Sequence, residues 1–170
     1  MHLNKDSESR HSVKIRGKTA SSVISNVVSL AGRNVMRVEI GTGENNSIKP
    51  IDGENLAAAA KMAHEQGMPL LCFVESSGAD ILEGVAAIHS WGTAAREFVK
   101  CSGKVPVIFC VTGPTVSGPA LLLGLADFVI MVDDSYAFVS GPQMAELFTG
   151  ETTNNEDLGG ASLHDRTTGV

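Results

Sequence analysis

Two short apolar runs, Met68-Pro69-Leu70-Leu71-Cys72-Phe73-Val74 and Val105 to Val111, each lead straight into a glycine-bearing turn and then into a helical pattern. The turns read Ser76-Ser77-Gly78-Ala79-Asp80 and Gly113-Pro114-Thr115-Val116-Ser117-Gly118-Pro119-Ala120. Strand, turn and helix recurring in this order predict an α/β fold. Two such turns can aim backbone N–H groups at one oxygen, where fixed dipoles hold developing negative charge better than water does. A helix opening at Ser117 would add its positive end. The candidate chemistry therefore rests on backbone more than on side chains.

The rest of the chain supports one domain. At 170 residues it is long enough for a sizeable core and gives no reason to posit two domains. Residues 1–11 read as a solvated tail. Ser12 to Ile15 and Ser22 to Leu30 suit strands, and Ala31-Gly32-Arg33-Asn34 predicts a hairpin into an alternating strand over Val35 to Ile40. Gly41 to Pro50 reads as a loop placed where a lid or ligand contact can be built. Asp52 is expected to cap a helix over 53–66 that stops at Gly67, and a second helix is expected over Ile81 to Lys100. Ser117 to Leu125, apolar almost all round, predicts a short helix buried on every side. Asp127 to Val132 and Ala137 to Val139 suit strands, and Thr152-Thr153-Asn154-Asn155-Glu156 reads as a capped helix start.

Apolar residues make up 43% of the chain and aromatics 5%, so the core must be mainly aliphatic. A formal charge of −6 argues against general binding to nucleic acid or an anionic membrane, although a local basic patch could still take a phosphorylated cofactor. No stretch reaches the roughly 20 apolar residues of a membrane span, and the polar N-terminus is not a signal peptide. Cys72, Cys101 and Cys110 are odd in number and lack the paired spacing of a zinc site, which predicts a reduced, cytoplasmic protein with no metal.

The ordered motifs resemble a known family. Gly67-Met68-Pro69-Leu70 through Ser76-Ser77-Gly78-Ala79, then Glu83-Gly84, Gly113-Pro114 through Ser117-Gly118, Ala126-Asp127-Phe128, Val132 and Gly141-Pro142 resemble biotin-dependent acyl-CoA carboxyltransferases, especially β subunits of the propionyl-CoA carboxylase type. Gly159-Gly160-Ala161-Ser162-Leu163-His164 looks like the segment that closes the same region. The resemblance, over roughly residues 52 to 170, implies a crotonase-like (ClpP/crotonase) fold of repeated β-β-α units, with 12–170 as a C-terminally shortened carboxyltransferase N-domain. It implies that the amides of Ser77, Gly78 and Ala79 and of Ser117 and Gly118 face the carbonyl of an acyl-CoA or acyl-carrier-protein thioester and hold its enolate. Gly113, Pro114, Thr115, Gly141 and Pro142 would line the substrate. No cofactor is bound covalently, and carboxybiotin would come from a partner carrier. A trimer-based homo-oligomer or a second carboxyltransferase subunit is expected.

The chain departs from the family pattern at four positions. Ser77 and Ser117 replace glycines, Asp80 replaces an arginine, and Pro119 replaces an alanine, which removes an N–H. Three side chains are candidate proton carriers: Glu83, one turn beyond the first turn; His164; and Tyr136. Each also has a plain structural reading, as a first-turn carboxylate, an interface histidine and a strand-edge aromatic. His89 is expected to be a partly buried structural histidine and Trp91 a core or trimer contact. Two alternatives remain beside a carboxyltransferase or decarboxylase component: a free-standing crotonase-like decarboxylase, hydratase or isomerase, and a non-catalytic partner subunit.

Overall fold

The computed structural model of the chain describes residues 13–14, 21–42 and 46–170. The tail expected over 1–11, and the strand expected over Ser12 to Ile15 apart from Val13 and Lys14, lie outside the described residues. Among the described residues a seven-stranded sheet organises the fold. Strands β1 (Val13–Lys14), β2 (Val23–Leu30) and β3 (Arg33–Ile40) are antiparallel; β3, β5 (Leu70–Ser76), β7 (Val107–Val116) and β8 (Phe128–Met131) run parallel, and β9 (Ala137–Phe138) joins the end of β7. A second, two-stranded sheet pairs β4 (Ser47–Ile48) with β6 (Gly78–Ala79).

The expected hairpin is present. Leu30 pairs Arg33 across Ala31 and Gly32, at φ 50° and 77°, the two left-handed residues that a two-residue turn between twisted strands requires. Strand β5 alternates buried and half-buried residues along its length. Leu70, Cys72 and Val74 join Val38, Val107, Phe109 and Val111 in the core, together with Leu56, Ala60 and Ala63 of helix α1 (Pro50–Gln66) and Ala94 and Phe98 of helix α2 (Val85–Cys101). Each fully buried Val, Leu or Phe side chain contributes about 1.5–3 kcal/mol. Helices α1 and α2 cross closely at Gly53. A Cβ there would stand 2.6 Å from the Ser90 carbonyl carbon and 2.7 Å from its oxygen, so the crossing needs a glycine.

Several expected boundaries are corrected. Helix α1 begins at Pro50 behind Lys49, and Asp52 is its third residue instead of its cap. Its carboxylate is buried and takes the N–H of Lys49 at 2.7 Å, the N–H of Ser22 at 2.6 Å and the Ser21 hydroxyl at 2.7 Å. That carboxylate ties the helix start to the strand entry, a tertiary role that local spacing does not reveal. The helix expected from Ile81 is split: a 3-10 turn over Ile81–Glu83 ends at Gly84, φ 54°, and α2 starts at Val85. Asp80 caps the 3-10 turn by accepting the Leu82 N–H at 3.0 Å.

The short helix after the second turn, α3 (Gly118–Leu123), is not buried on every side, since Leu121 is 58% exposed while Pro119 and Leu122 are buried. The loop expected over Gly41 to Pro50 contains β4, and Gly43 to Asn45 lie outside the described residues. Helices α4 (Pro142–Thr149), α5 (Asn155–Gly159) and α6 (Ala161–Thr167) complete the chain. Asn154 caps α5 by accepting the Asp157 N–H at 2.9 Å, as its sequence suggests. No helix among the described residues is long and apolar enough to cross a membrane.

Candidate functional site

The two glycine turns meet at the carboxyl ends of the parallel strands, where open α/β sheets place ligands. The first is tighter than its sequence suggests: Ser77 alone separates β5 from β6. The second is displaced. Strand β7 runs through Gly113, Pro114 and Thr115 to Val116, so the chain turns only at Ser117. The register explains the difference. Val74 faces Val111 while Ser76 faces Thr115, so β7 bulges over Thr112 to Pro114. The Thr112 and Thr115 hydroxyls both donate to the Val74 carbonyl, at 3.3 and 3.4 Å, and hold the bulge to β5.

The bulge makes room for Glu75, a residue the sequence reading did not select. A Cβ on Gly113 would fall 2.7 Å from the Glu75 carboxyl carbon, and Asn46 donates its amide to Glu75 Oε1 at 3.0 Å. The readable signal was a carboxylate closing an otherwise apolar strand run. Gly113 and Pro114 thus shape the bulge, and Thr115 is buried within it.

Gly78 and Ser117 bring the two turns into contact. Gly78 has φ 101°, and a Cβ on it would stand 3.1 Å from Ser117 Cβ and 3.3 Å from the Val116 carbonyl oxygen. Ser117 has φ 65° and ψ −128°, a region that favours glycine. The serine that departs from the family pattern therefore carries backbone strain.

The five candidate amides differ in their engagements. Ser77 donates its N–H to the Asn46 carbonyl at 3.0 Å, and Gly78 donates to Ser76 Oγ at 3.2 Å. Ser117 donates to the Phe138 carbonyl at 3.0 Å. Ala79 and Gly118 are the remaining members of the set. Gly118 opens α3, and the helix itself has no acceptor for its first N–H groups. Pro119 follows at a position that suits proline. With six residues, α3 adds little dipole, so the donors of the turns themselves count.

The side-chain candidates are scattered around this junction. Glu83 is exposed on the 3-10 turn after the first turn. His164 accompanies α6, and its ring joins α6 to β9: Nε2 lies 2.9 Å from the Ala137 carbonyl oxygen, which requires a proton on Nε2, and Nδ1 lies 3.0 Å from Thr168 Oγ1. Tyr136 stacks on Phe138, with ring centroids 5.2 Å apart, and its backbone bridges Gly160. Gly159 is required there, since a Cβ would lie 2.4 Å from the Ala137 carbonyl oxygen. Gly141 and Pro142 start α4, with Gly141 against the Phe138 ring. His89 is exposed on α2, contrary to the partly buried place expected of it, because α2 turns that side away from α1 and the sheet.

Burial raises the thiol pKa of Cys72, Cys101 and Cys110, so all three are weak nucleophiles. They are free thiols, with Cys72 and Cys101 buried and Cys110 half-buried.

The mixed sheet and its two abutting glycine turns agree with the crotonase-like fold that the sequence resemblance leads one to expect. The Carboxyl transferase domain model matches residues 4–170. The propionyl-CoA carboxylase beta chain of Saccharopolyspora erythraea is 35% identical over 124 residues, 72% of this chain and 23% of the relative. The methylmalonyl-CoA carboxyltransferase 12S subunit of Propionibacterium freudenreichii subsp. shermanii is 35% identical over 122 residues, 72% of this chain and 22% of the relative. The chain belongs to the carboxyl transferase domain family. It spans less than a quarter of the length of these relatives. In structure, a hexameric transcarboxylase 12S with hydrolysed methylmalonyl-coenzyme A bound superimposes with a TM-score of 0.88 at 26% identity, covering 94% of this chain and 35% of that one. A Pseudomonas malonate decarboxylase hetero-dimer gives 0.80 at 18% identity, over 97% of this chain and 72% of that one, a likeness of fold alone.

Proposed function

We propose that the chain is a carboxyltransferase or decarboxylase component that binds an acyl-CoA or acyl-carrier-protein thioester and stabilises its enolate with backbone amides from both turns. The observation that carries this reading is the contact between Gly78 and Ser117, which sets both turns at one point. Ala79 and Gly118 are the donors we assign to the thioester oxygen, since Ser77, Gly78 and Ser117 hold other acceptors. A preorganised donor is worth about 3–4 kcal/mol in the transition state. In the carboxylating direction a base would take the α-proton, the enolate would attack carboxybiotin presented by a carrier, or the CO2 released from it, and the freed biotin nitrogen would take up a proton. In the other direction the carboxylated thioester loses CO2 to give the same enolate, which then takes a proton.

The names of the relatives, propionyl-CoA carboxylase beta chain and methylmalonyl-CoA carboxyltransferase among them, support this substrate class. We further assign residues 12–170 to the carboxyltransferase N-domain and place the protein in the cytoplasm. A trimer-based assembly or a second carboxyltransferase subunit would complete the site. The measurement is deuterium exchange at the α-carbon of acetyl- and propionyl-thioesters, with CO2 release from malonyl-thioester, followed for the chain and for Glu83→Gln. Exchange that survives Glu83→Gln supports enolate stabilisation by the backbone amides, with solvent or a base other than Glu83 taking the α-proton. Exchange lost in that variant with thioester binding intact supports a side-chain acid or base instead.

A further inference from the structure

Gly118 rests on an aromatic ring. A Cβ built on Gly118 would meet Trp91 Nε1 at 2.6 Å, Cε2 at 2.8 Å and Cδ1 at 2.9 Å. Three adjacent ring atoms at nearly equal distances place the glycine over the face of the pyrrole ring, not off its N–H edge. Any side chain at position 118 would displace the indole. The glycine is therefore demanded by close approach, whereas Ser117 beside it occupies a glycine-favouring backbone region with a Cβ present.

We propose that Trp91 is a positioning residue, whose indole face seats Gly118 and holds the second turn's amide in register with the first. This rests on the thioester reading above and deepens it. Trp91 packs against the core cluster, and its backbone follows Ser90, the residue pinned by the Gly53 crossing of α1 and α2. The turn is fixed on its other sides by the Ser117 N–H on the Phe138 carbonyl and by the contact of Ser117 with Gly78. The crossing of the two long helices thus sets the indole, the indole sets Gly118, and Gly118 presents the donor. Removing the ring leaves the floor of the turn empty, and a donor misplaced by about 1 Å loses on the order of 100-fold in rate.

The test compares the wild-type chain, Trp91→Phe and Trp91→Ala by two readouts. In 15N relaxation without ligand, the Gly118 amide is expected to be rigid in the wild type and Trp91→Phe, with an order parameter of about 0.85, and to fall below about 0.6 in Trp91→Ala while β5 and β7 are unchanged. In α-carbon deuterium exchange on propionyl-thioester, Trp91→Ala is expected to lower kcat at least tenfold (about 1.4 kcal/mol) with KM within twofold, and Trp91→Phe to restore most of it. An unchanged Gly118 order parameter in Trp91→Ala overturns the proposal, as does a rise in KM with kcat intact. If the wild-type chain exchanges nothing, its turnover depends on a partner subunit or is absent, and relaxation alone decides the role of Trp91. Should Trp91→Ala not fold, Trp91→Leu, which fills the space without a flat ring, takes its place under the same criteria.

Discussion

Gly78 lies directly against Ser117, with a Cβ built on the glycine only 3.1 Å from the serine Cβ. This pair joins the two turns, and it does so with one residue that tolerates a positive φ and one that is strained by it. Ser117 sits at φ 65°, ψ −128°, where a non-glycine residue costs on the order of 1–3 kcal/mol. Ser117→Gly should relieve that strain against a glycine entropy cost of roughly 0.5–1 kcal/mol. We expect a net gain of about 1 kcal/mol and a Tm rise of about 2–4 °C, read by calorimetry. An unchanged or lower Tm would show that the serine is not strained there.

Asp52 should matter more to stability than its place on a helix suggests. Its Oδ1 accepts from both the Ser21 hydroxyl and the Ser22 N–H, and its Oδ2 accepts from the Lys49 N–H. An amide in its place must turn an NH2 group toward one of these donors. Asp52→Asn is expected to cost about 2 kcal/mol in urea unfolding, the range for hydrogen bonds to a buried charged group.

How much was legible follows from such cases. The parallel strands and the β2–β3 hairpin were readable because Leu70 to Val74 and Val35 to Ile40 carry their burial pattern in local order. Both glycine turns were readable as motifs. The second turn's true start at Ser117 was not, because Gly113 is needed for the Glu75 side chain instead of for a bend. The role of Asp52 is not legible locally, because two of its donors come from Ser21 and Ser22, some 30 residues away. The place of Trp91 under Gly118 is not legible either, since nothing in sequence spacing links the two.

The acid limb of stability should involve Glu97. The Lys100 ammonium hydrogen-bonds its carboxylate at 2.8 and 3.0 Å and holds its pKa below the usual 4.5, against the opposing effect of burial. A carboxylate with a lowered folded pKa adds stability above its unfolded value and loses it as pH falls through the folded one. Glu97→Gln should therefore be less stable than the wild type at pH 7, with the difference fading below pH 4.5. A difference constant from pH 7 to pH 3, measured as urea midpoints, would contradict this.

Thiol labelling should follow burial. All three cysteines have raised pKa values, and Cys110 is the one that is half-buried. Iodoacetamide on the folded chain, read by mass spectrometry, should label Cys110 first as pH rises and leave Cys72 and Cys101 protected until unfolding. Early labelling of Cys72 would mean that β5 opens locally.

The central claim is that both turns hold one thioester oxygen, and amide NMR during titration with a non-hydrolysable propionyl-thioester analogue tests it most directly. The account predicts that the Ala79 and Gly118 N–H signals move downfield together along one binding curve, while those of Ser77 and Ser117, already bonded to Asn46 and Phe138, stay in place. Movement of only one of the pair, or binding with neither shifted, would contradict a shared oxyanion site.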